Sequence, residues 1–238
     1  MKLENAVGSH EQDLAVHIAR PDEAQEVYEF LLHHFFPQAP IRQLGLYDES
    51  EEAKRPAWIE ELVRDCLRTP HSLLVRDSRL HNQIVAVAVN EMKSCSIAEK
   101  RPTDDEPNRN SRSSSDPAQI PVGRLHKAVL KEIHQHVDMF NIYETDKKME
   151  FSIAAVDERY SRQGLASKLM ELALEIAKEA GAGVIWTEAL SAYTAKVANK
   201  FGFDTLKSID YSEFRFEGYT PLANIPGHRT GHLMARKI

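Results

Sequence analysis

Residues able to do chemistry concentrate in Val156-Asp157-Glu158-Arg159-Tyr160-Ser161-Arg162-Gln163-Gly164-Leu165-Ala166-Ser167. An apolar, strand-like run, Phe151 to Val156, leads into a short polar turn, and an amphipathic helix follows. Gly164 and Ala166 fall where that helix begins. Small residues there let a ligand approach the backbone, and the unbonded N–H groups of a helix's first turn attract phosphate. The stretch therefore predicts a pyrophosphate cradle. The chain has no Gly-x-x-x-x-Gly-Lys-Ser/Thr and no Gly-x-Gly-x-x-Gly, so neither a nucleotide-hydrolysing loop nor a dinucleotide fold is expected.

The elements that must position this turn are legible in outline. Leu14, Val16 and Ile18 alternate as in a strand. Asp22 reads as opening a helix, with Gln25 as its capping-box partner. Val27, Phe30, Leu31 and Phe35 share one face of that helix, and Pro37 and Pro40 stop it. Residues 41–57 are charged and read as loop; residues 58–67 read as a short helix. Ser72 to Val75 and Ile84 to Val89 form an antiparallel hairpin. Residues 96–121 are almost without apolar side chains and cannot offset the entropy of ordering, so a mobile surface loop is expected, with Ser113 to Ser115 open to phosphorylation. Leu125, Val129, Ile133, Val137 and Phe140 recur over one long helix. A strand at 149–156 and a helix at 165–180 follow, the latter capped by Gly181. Val184 to Trp186 is a strand, 192–200 a helix, and Phe203 to Ile209, Ser212 to Phe216 and Gly231 to Lys237 are closing strands. The fold class is α/β (α+β), a mixed sheet with helices on both faces, in a single domain over 1–238.

Composition narrows the function. The 238 residues are 42% hydrophobic, enough for one good core. The longest apolar runs are far too short to span a bilayer. Met1 to His10 is polar and lacks a signal-peptide core, so a cytoplasmic protein is expected. Cys66 and Cys95 read as reduced thiols. A formal net charge of -6 tilts against nucleic acid and towards a cationic small substrate. No Cys-x-x-Cys is present, and His134 and His136 stand two apart on a helix, so no metal is expected.

These pieces together resemble the GCN5-related N-acetyltransferases (GNAT): the strand, the Gly164-x-Ala166 turn, the amphipathic helix, a second strand, then Ala195 and Gly202-Phe203. More narrowly the chain resembles arylalkylamine N-acetyltransferases of invertebrate type. That resemblance rests on Phe35-Phe36-Pro37 before Pro40-Ile41, the run His136 to Tyr143, Val156-Asp157-x-x-Tyr160, Gly164-Leu165-Ala166-x-x-Leu169, Tyr193 to Val197, Lys200 to Phe203, and Gly231 to Arg236. It implies a mostly antiparallel sheet splayed between two strands. It also implies acetyl-CoA as co-substrate, with Ser152 to Val156, including Ala154 and Ala155, pairing with the pantetheine arm. The turn of Ser161, Arg162, Gln163, Gly164, Leu165, Ala166 and Ser167 would hold the pyrophosphate, and Lys196 would meet a CoA phosphate. A small primary amine, an arylalkylamine such as a monoamine, would attack the thioester directly. Polyamines, protein lysines, and a CoA-binding protein with little catalysis are the alternatives; neither nucleic acid nor membrane is an expected partner.

The chain departs from the family at two points. Ser161 stands where the turn usually has Arg or Gln, with Arg162 next to it as a substitute charge. Ala39 stands where relatives carry a Glu before Pro as general base, and Ala cannot accept a proton. The base is then a water chain, absent, or replaced by Glu188, His33 or His34. On the thiolate side Thr194 is the first choice of donor and Tyr193 the second, with Ser191 nearby and Leu190 where some relatives have serine. Phe35, Phe36 and Trp186 are candidates to line an aromatic pocket, and His228 and His232 read as structural or exposed.

Overall fold

The computed structural model describes residues 13–44, 55–95 and 122–238. The expected mobile loop at 96–121, its serines and the Met1 to His10 segment lie outside the described residues.

In chain order the elements are β1 (Leu14–Ile18), α1 (Ala24–His34), α2 (Ala57–Cys66), β2 (Leu73–Asp77), β3 (Gln83–Ser94), α3 (Val122–His134), the one-turn α4 (Met139–Ile142), β4 (Lys147–Val156), α5 (Leu165–Glu179), β5 (Val184–Ala189), α6 (Ala192–Lys200), β6 (Asp204–Asp210) and β7 (Thr230–Lys237). Seven strands form one sheet in the order β1-β2-β3-β4-β5-β7-β6. Every neighbouring pair is antiparallel except β4 with β5. A parallel pair needs a crossover, and α5 supplies it.

The two faces of the sheet explain the sequence periodicities. Leu165, Leu169, Met170, Leu172, Ala173, Ile176 and Ala177 bury one side of α5 against Leu73, Val75, Met149, Phe151 and Ile185. On the opposite face Val27, Phe30 and Leu31 of α1 and Ile59 and Val63 of α2 cover Leu74, Val87, Val89, Ile153 and Ala155. Leu125, Val129 and Ile133 of α3 pack with Val184, Trp186, Leu233 and Ala235. Each fully buried Leu or Ile contributes about 1.5–3 kcal/mol.

Three local expectations are corrected. Asp22 and Gln25 make no capping box. Pro21–Glu23 is a 3-10 turn, α1 begins at Ala24, and the buried Glu23 carboxylate accepts from the Arg20 backbone N–H at 2.8 Å. Glu23 is drawn inward by Arg76 at 2.9 Å, while Gln25 bonds Glu29 on the surface. The long helix at 125–140 is two helices. His136 has φ 65, which ends α3, and Asp138 caps α4 by accepting from the N–H groups of Phe140 and Asn141. Ser212 to Phe216 is not a strand. The Asp210 carboxylate takes the Ser212 N–H and hydroxyl, which turns the chain, and Phe216 makes one isolated bridge to Tyr219. The alternating aromatics there are satisfied by packing beside α3, not by a ladder.

One buried polar contact ties the hairpin to the turn after β4. The Tyr160 hydroxyl donates to Asp77 at 2.6 Å. Bonds from the Arg79 guanidinium, with help from Tyr160, hold the Asp77 carboxyl far below the usual carboxylate range against the opposing effect of burial. A carboxyl depressed in the folded state contributes stability above its unfolded value near 3.9, and that contribution is lost as pH falls below it. Tyr160→Phe is therefore expected to cost about 1–3 kcal/mol at pH 7 in urea denaturation. The gap between the two proteins should narrow as pH is lowered through about 4 and below.

Candidate active site

The site starts where β4 and β5 part. Their parallel pairing runs through Lys148↔Val184, Met149↔Ile185 and Glu150↔Trp186, and goes no further. Beyond it β4 keeps only β3 and β5 keeps only β7. Two features hold the fork open. Ser152 is unmatched across from β3, where the register shifts between Val89 and Asn90, a bulge that bends β4 away. At the crotch the Thr187 hydroxyl donates to the Phe151 carbonyl at 2.9 Å and so substitutes for a strand partner. The edge of β4 past Phe151 thus faces β5 without a ladder, which suits an extended amide-bearing chain. Ala154 and Val156 are partly exposed along this stretch and Ala155 is buried towards α1. Among the described residues, the buried side-chain polar atoms without a protein hydrogen bond are Asn90 Oδ1, Ser152 Oγ and Trp186 Nε1. All three belong to strands at the fork. Buried polar atoms left over in one place mark where a ligand or ordered water bonds.

At the far end of β4 the turn has the geometry that the sequence implies. Asp157 and Tyr160 are buried, whereas Ser161, Arg162, Gln163 and Gly164 are exposed. Arg162 (φ 61) and Gly164 (φ 85) are both left-handed, which curls successive N–H groups inward. Gly164 is the N-cap of α5 and no side chain caps the helix, so its first N–H groups remain available. A Cβ built on Gly164 would meet nothing within 4 Å. Leu165 is buried and anchors the helix, while Ala166 and Ser167 are half-exposed beside the opening. Lys200 of α6 reaches Ser167 at 3.3 Å and brings a cation to the rim. Lys196, the cation expected there, is exposed.

On the opposite face, polar side chains converge below the fork. Glu188, near the end of β5, accepts from His134 Nε2 of α3 at 2.6 Å. Their side chains are 20% and 33% exposed, so the pair is sheltered yet reachable from solvent. The His134 ring meets Trp186 edge-on at 5.1 Å. His126, two turns earlier on α3, lies 5.6 Å from the Trp58 ring of α2. Burial pushes the His126 imidazole pKa down, and Glu188 opposes that shift. Glu150, where the pairing ends, is bound by Lys93 at 2.9 Å; burial raises its pKa against the pull of Lys93, and Glu188 adds to the rise.

The hydroxyl group at the start of α6 is also assembled. Ser191 caps the helix by accepting the Thr194 N–H at 3.0 Å, and the two hydroxyls lie 2.9 Å apart. Tyr193 is 77% exposed, so it does not pack into the core, and its ring stands edge-on to His228 at 5.7 Å. The His228 ring accepts the Ala192 N–H at 3.1 Å and is buried, a structural role. His232 bonds Ser208 and Thr230.

The histidines of α1 stand elsewhere. His33 is exposed; His34 packs on Phe30 at 4.4 Å and lies 3.9 Å from Asp157, with burial pushing its pKa down. Ala39 makes backbone bonds to Phe36 and Arg42, and Arg42 stacks over Phe36 at 3.7 Å. Phe35 packs against the α1–α2 core, and Trp186 is 4% exposed at the fork. Sequence reading missed His134, His126, Trp58, Glu150 and Lys200. Only Lys200 had a local signal, one helical turn after Lys196; the others meet across three different elements. Among the described residues no group of three or more His, Cys, Asp or Glu could hold a metal ion, and no helix is long and apolar enough to cross a membrane.

Comparison with known proteins agrees with this geometry. Residues 126–203 match the model of the acetyltransferase (GNAT) family. Arylalkylamine N-acetyltransferase 2 from Aedes aegypti superimposes with a TM-score of 0.77 at 23% identity, over 95% of this chain and 100% of that one. A polyamine N-acetyltransferase from Drosophila melanogaster, which forms N-acetylagmatine, gives 0.70 at 16%, over 95% and 100%. The C-terminal condensation domain of Ebony, in complex with beta-alanyl-dopamine, gives 0.69 at 14%, over 94% and 99%. At these identities the structural likeness speaks for the fold. The family match spans α3 through α6, about a third of the chain, and the fold it shares with these structures is that of the N-acetyltransferases.

Gly164 offers the direct test of the turn. Gly164→Val would put a β-branched side chain at φ 85 and into the space above the helix start. Its affinity for CoA, measured by calorimetry, is expected to fall by about tenfold or more. Unchanged binding would remove the turn from the cofactor site.

Proposed function

We propose that this enzyme acetylates a small primary amine, an arylalkylamine of the monoamine kind, and that residues 1–238 act as one catalytic domain. A single sheet running from Leu14 to Lys237 supports the latter. The observation that carries the substrate reading is the lining of the face below the fork. Trp58 and Trp186 bracket a run of His126, Glu188 and His134. Aromatic walls favour a flat ring, and a carboxylate at the end of them favours an amine. Glu150 beside Glu188 also gives the polyamine alternative a foothold, but Lys93 already neutralises Glu150.

The backbone of Ser161 to Ser167 holds the pyrophosphate, with Arg162, Lys196 and Lys200 near the phosphates. The free edge formed by Ala154, Ala155 and Val156 lies along the pantetheine. Acetyl-CoA, when bound, supplies the activated acyl group; this chain's residues orient it and move protons. Glu188 accepts the proton that the attacking amine must lose, a role worth about 10²–10⁴ in rate. Thr194 donates to the leaving sulfur, with Ser191 behind it and Tyr193 as the second donor. The reduced thiols Cys66, whose burial pushes its pKa up to about 12, and Cys95 fit a reducing cytoplasm.

The test is release of free thiol from acetyl-CoA with a panel of tyramine, tryptamine, spermidine and agmatine. Turnover should be highest with the aromatic amines, and Trp58→Ala should raise their KM about tenfold while leaving CoA affinity unchanged. Thr194→Ala should lower kcat more than it changes CoA binding. CoA binding without thiol release for any amine would point instead to a non-catalytic acyl-CoA-binding protein.

A further inference from the structure

Glu188 needs more than a place at the fork in order to accept a proton: its carboxylate must hold one rotamer. Its partner is His134 on α3, 54 residues earlier in the chain. A carboxylate can only accept here, so the His134 Nε2 carries the hydrogen and donates it to Glu188 Oε1. That assignment leaves Oε2 as the oxygen with open lone pairs. The His134 ring is itself fixed by the edge-on contact with Trp186 and by its position in the last turn of a helix whose other face is buried. Indole, imidazole and carboxylate thus touch in series, the indole edge-on to the imidazole and the imidazole bonded to the carboxylate. Glu188 has no other protein hydrogen-bond partner among those described for its side chain.

We propose that His134 is the positioning residue of the proton acceptor: it pins Glu188 in one rotamer, so that Oε2 faces the incoming amine. The inference rests on Glu188 being that acceptor. In the step itself the amine nitrogen forms its bond to the acyl carbon while the carbon–sulfur bond breaks. The N–H proton passes to Glu188 Oε2 and afterwards to solvent, and the sulfur takes a proton from the Thr194 hydroxyl, which solvent restores. The proton count closes without His134 changing its own charge. The other charged groups facing the pair are Glu150 and Lys93, which compensate each other, and His126.

Three variants test the idea, each checked for folding by thermal melting and for CoA affinity by calorimetry. His134→Phe keeps the ring packing on Trp186 and removes the donor. It is expected to lower kcat by about tenfold or more with the KM for acetyl-CoA unchanged. His134→Gln, whose amide nitrogen stands near the place of Nε2, should restore most of the rate. If His134→Phe fails to fold, His134→Asn, too short to reach Glu188, replaces it. Glu188→Gln separates the two readings. If it abolishes turnover while the His134 variants match wild type in rate, His134 is only structural and this inference falls alone. If Glu188→Gln retains full activity, the acceptor assignment falls and takes the inference with it.

Discussion

The parting of β4 from β5 after Glu150 and Trp186 is the constraint on which the rest of the structure depends. A parallel pair inside a sheet normally satisfies its backbone groups along its whole length, and breaking it leaves N–H and C=O groups that must bond elsewhere. The chain accepts that cost in one place and limits it. The bulge at Ser152 makes the divergence a bend and not a tear, and Thr187 serves the last carbonyl of the paired region. The strand past it stays firm because β3 holds its other edge and α1 and α2 cover it. A rigid, unpaired edge is a template that an amide-bearing arm can complete.

The fork also sorts charge. The uncapped start of α5 and the left-handed pair Arg162 and Gly164 lie at the far tip of β4, where the chain emerges into solvent. The acids Glu150 and Glu188 lie back at the crotch, on the face covered by α3. Phosphates and carboxylates would repel strongly if both were sheltered together. Separating them along one strand keeps the anion-favouring turn apart from the acids at the same opening. Asp77, Tyr160 and Asp157 support the arrangement from beneath, since they fix the turn to the β2–β3 hairpin.

What the sequence made legible was local. Helix α5 and its glycine turn showed because their period and cap occupy fifteen neighbouring residues, and α6 showed for the same reason. What stayed hidden was set by distant partners. The break in α3 at His136 was masked because Val137 and Phe140 continue the apolar period even though the backbone has turned. The Asp22–Gln25 cap failed because Arg76, more than fifty residues on, claims Glu23 and fixes the start of α1. His134 looked unimportant when weighed against His136 two residues away; its partner lay on another strand. Ala39 announced a missing base, but no spacing rule could say where a replacement would come from.

The choice among the carboxylates at the crotch follows from their partners. Glu91 and Glu150 both lie at 2.9 Å from the Lys93 ammonium, and that ion pair is stable enough to raise the Lys93 pKa in spite of burial. Protonating Glu150 would strand the charge on the lysine, yet burial outweighs the pull of Lys93 and raises the Glu150 pKa. Glu150 is more enclosed, at 12% exposure, and has little route to water. Glu188 differs on each count. Its partner is an imidazole, and at 20% exposure it is more open to solvent than Glu150. The lysine thus occupies two of the three acids and leaves Glu188 paired with His134.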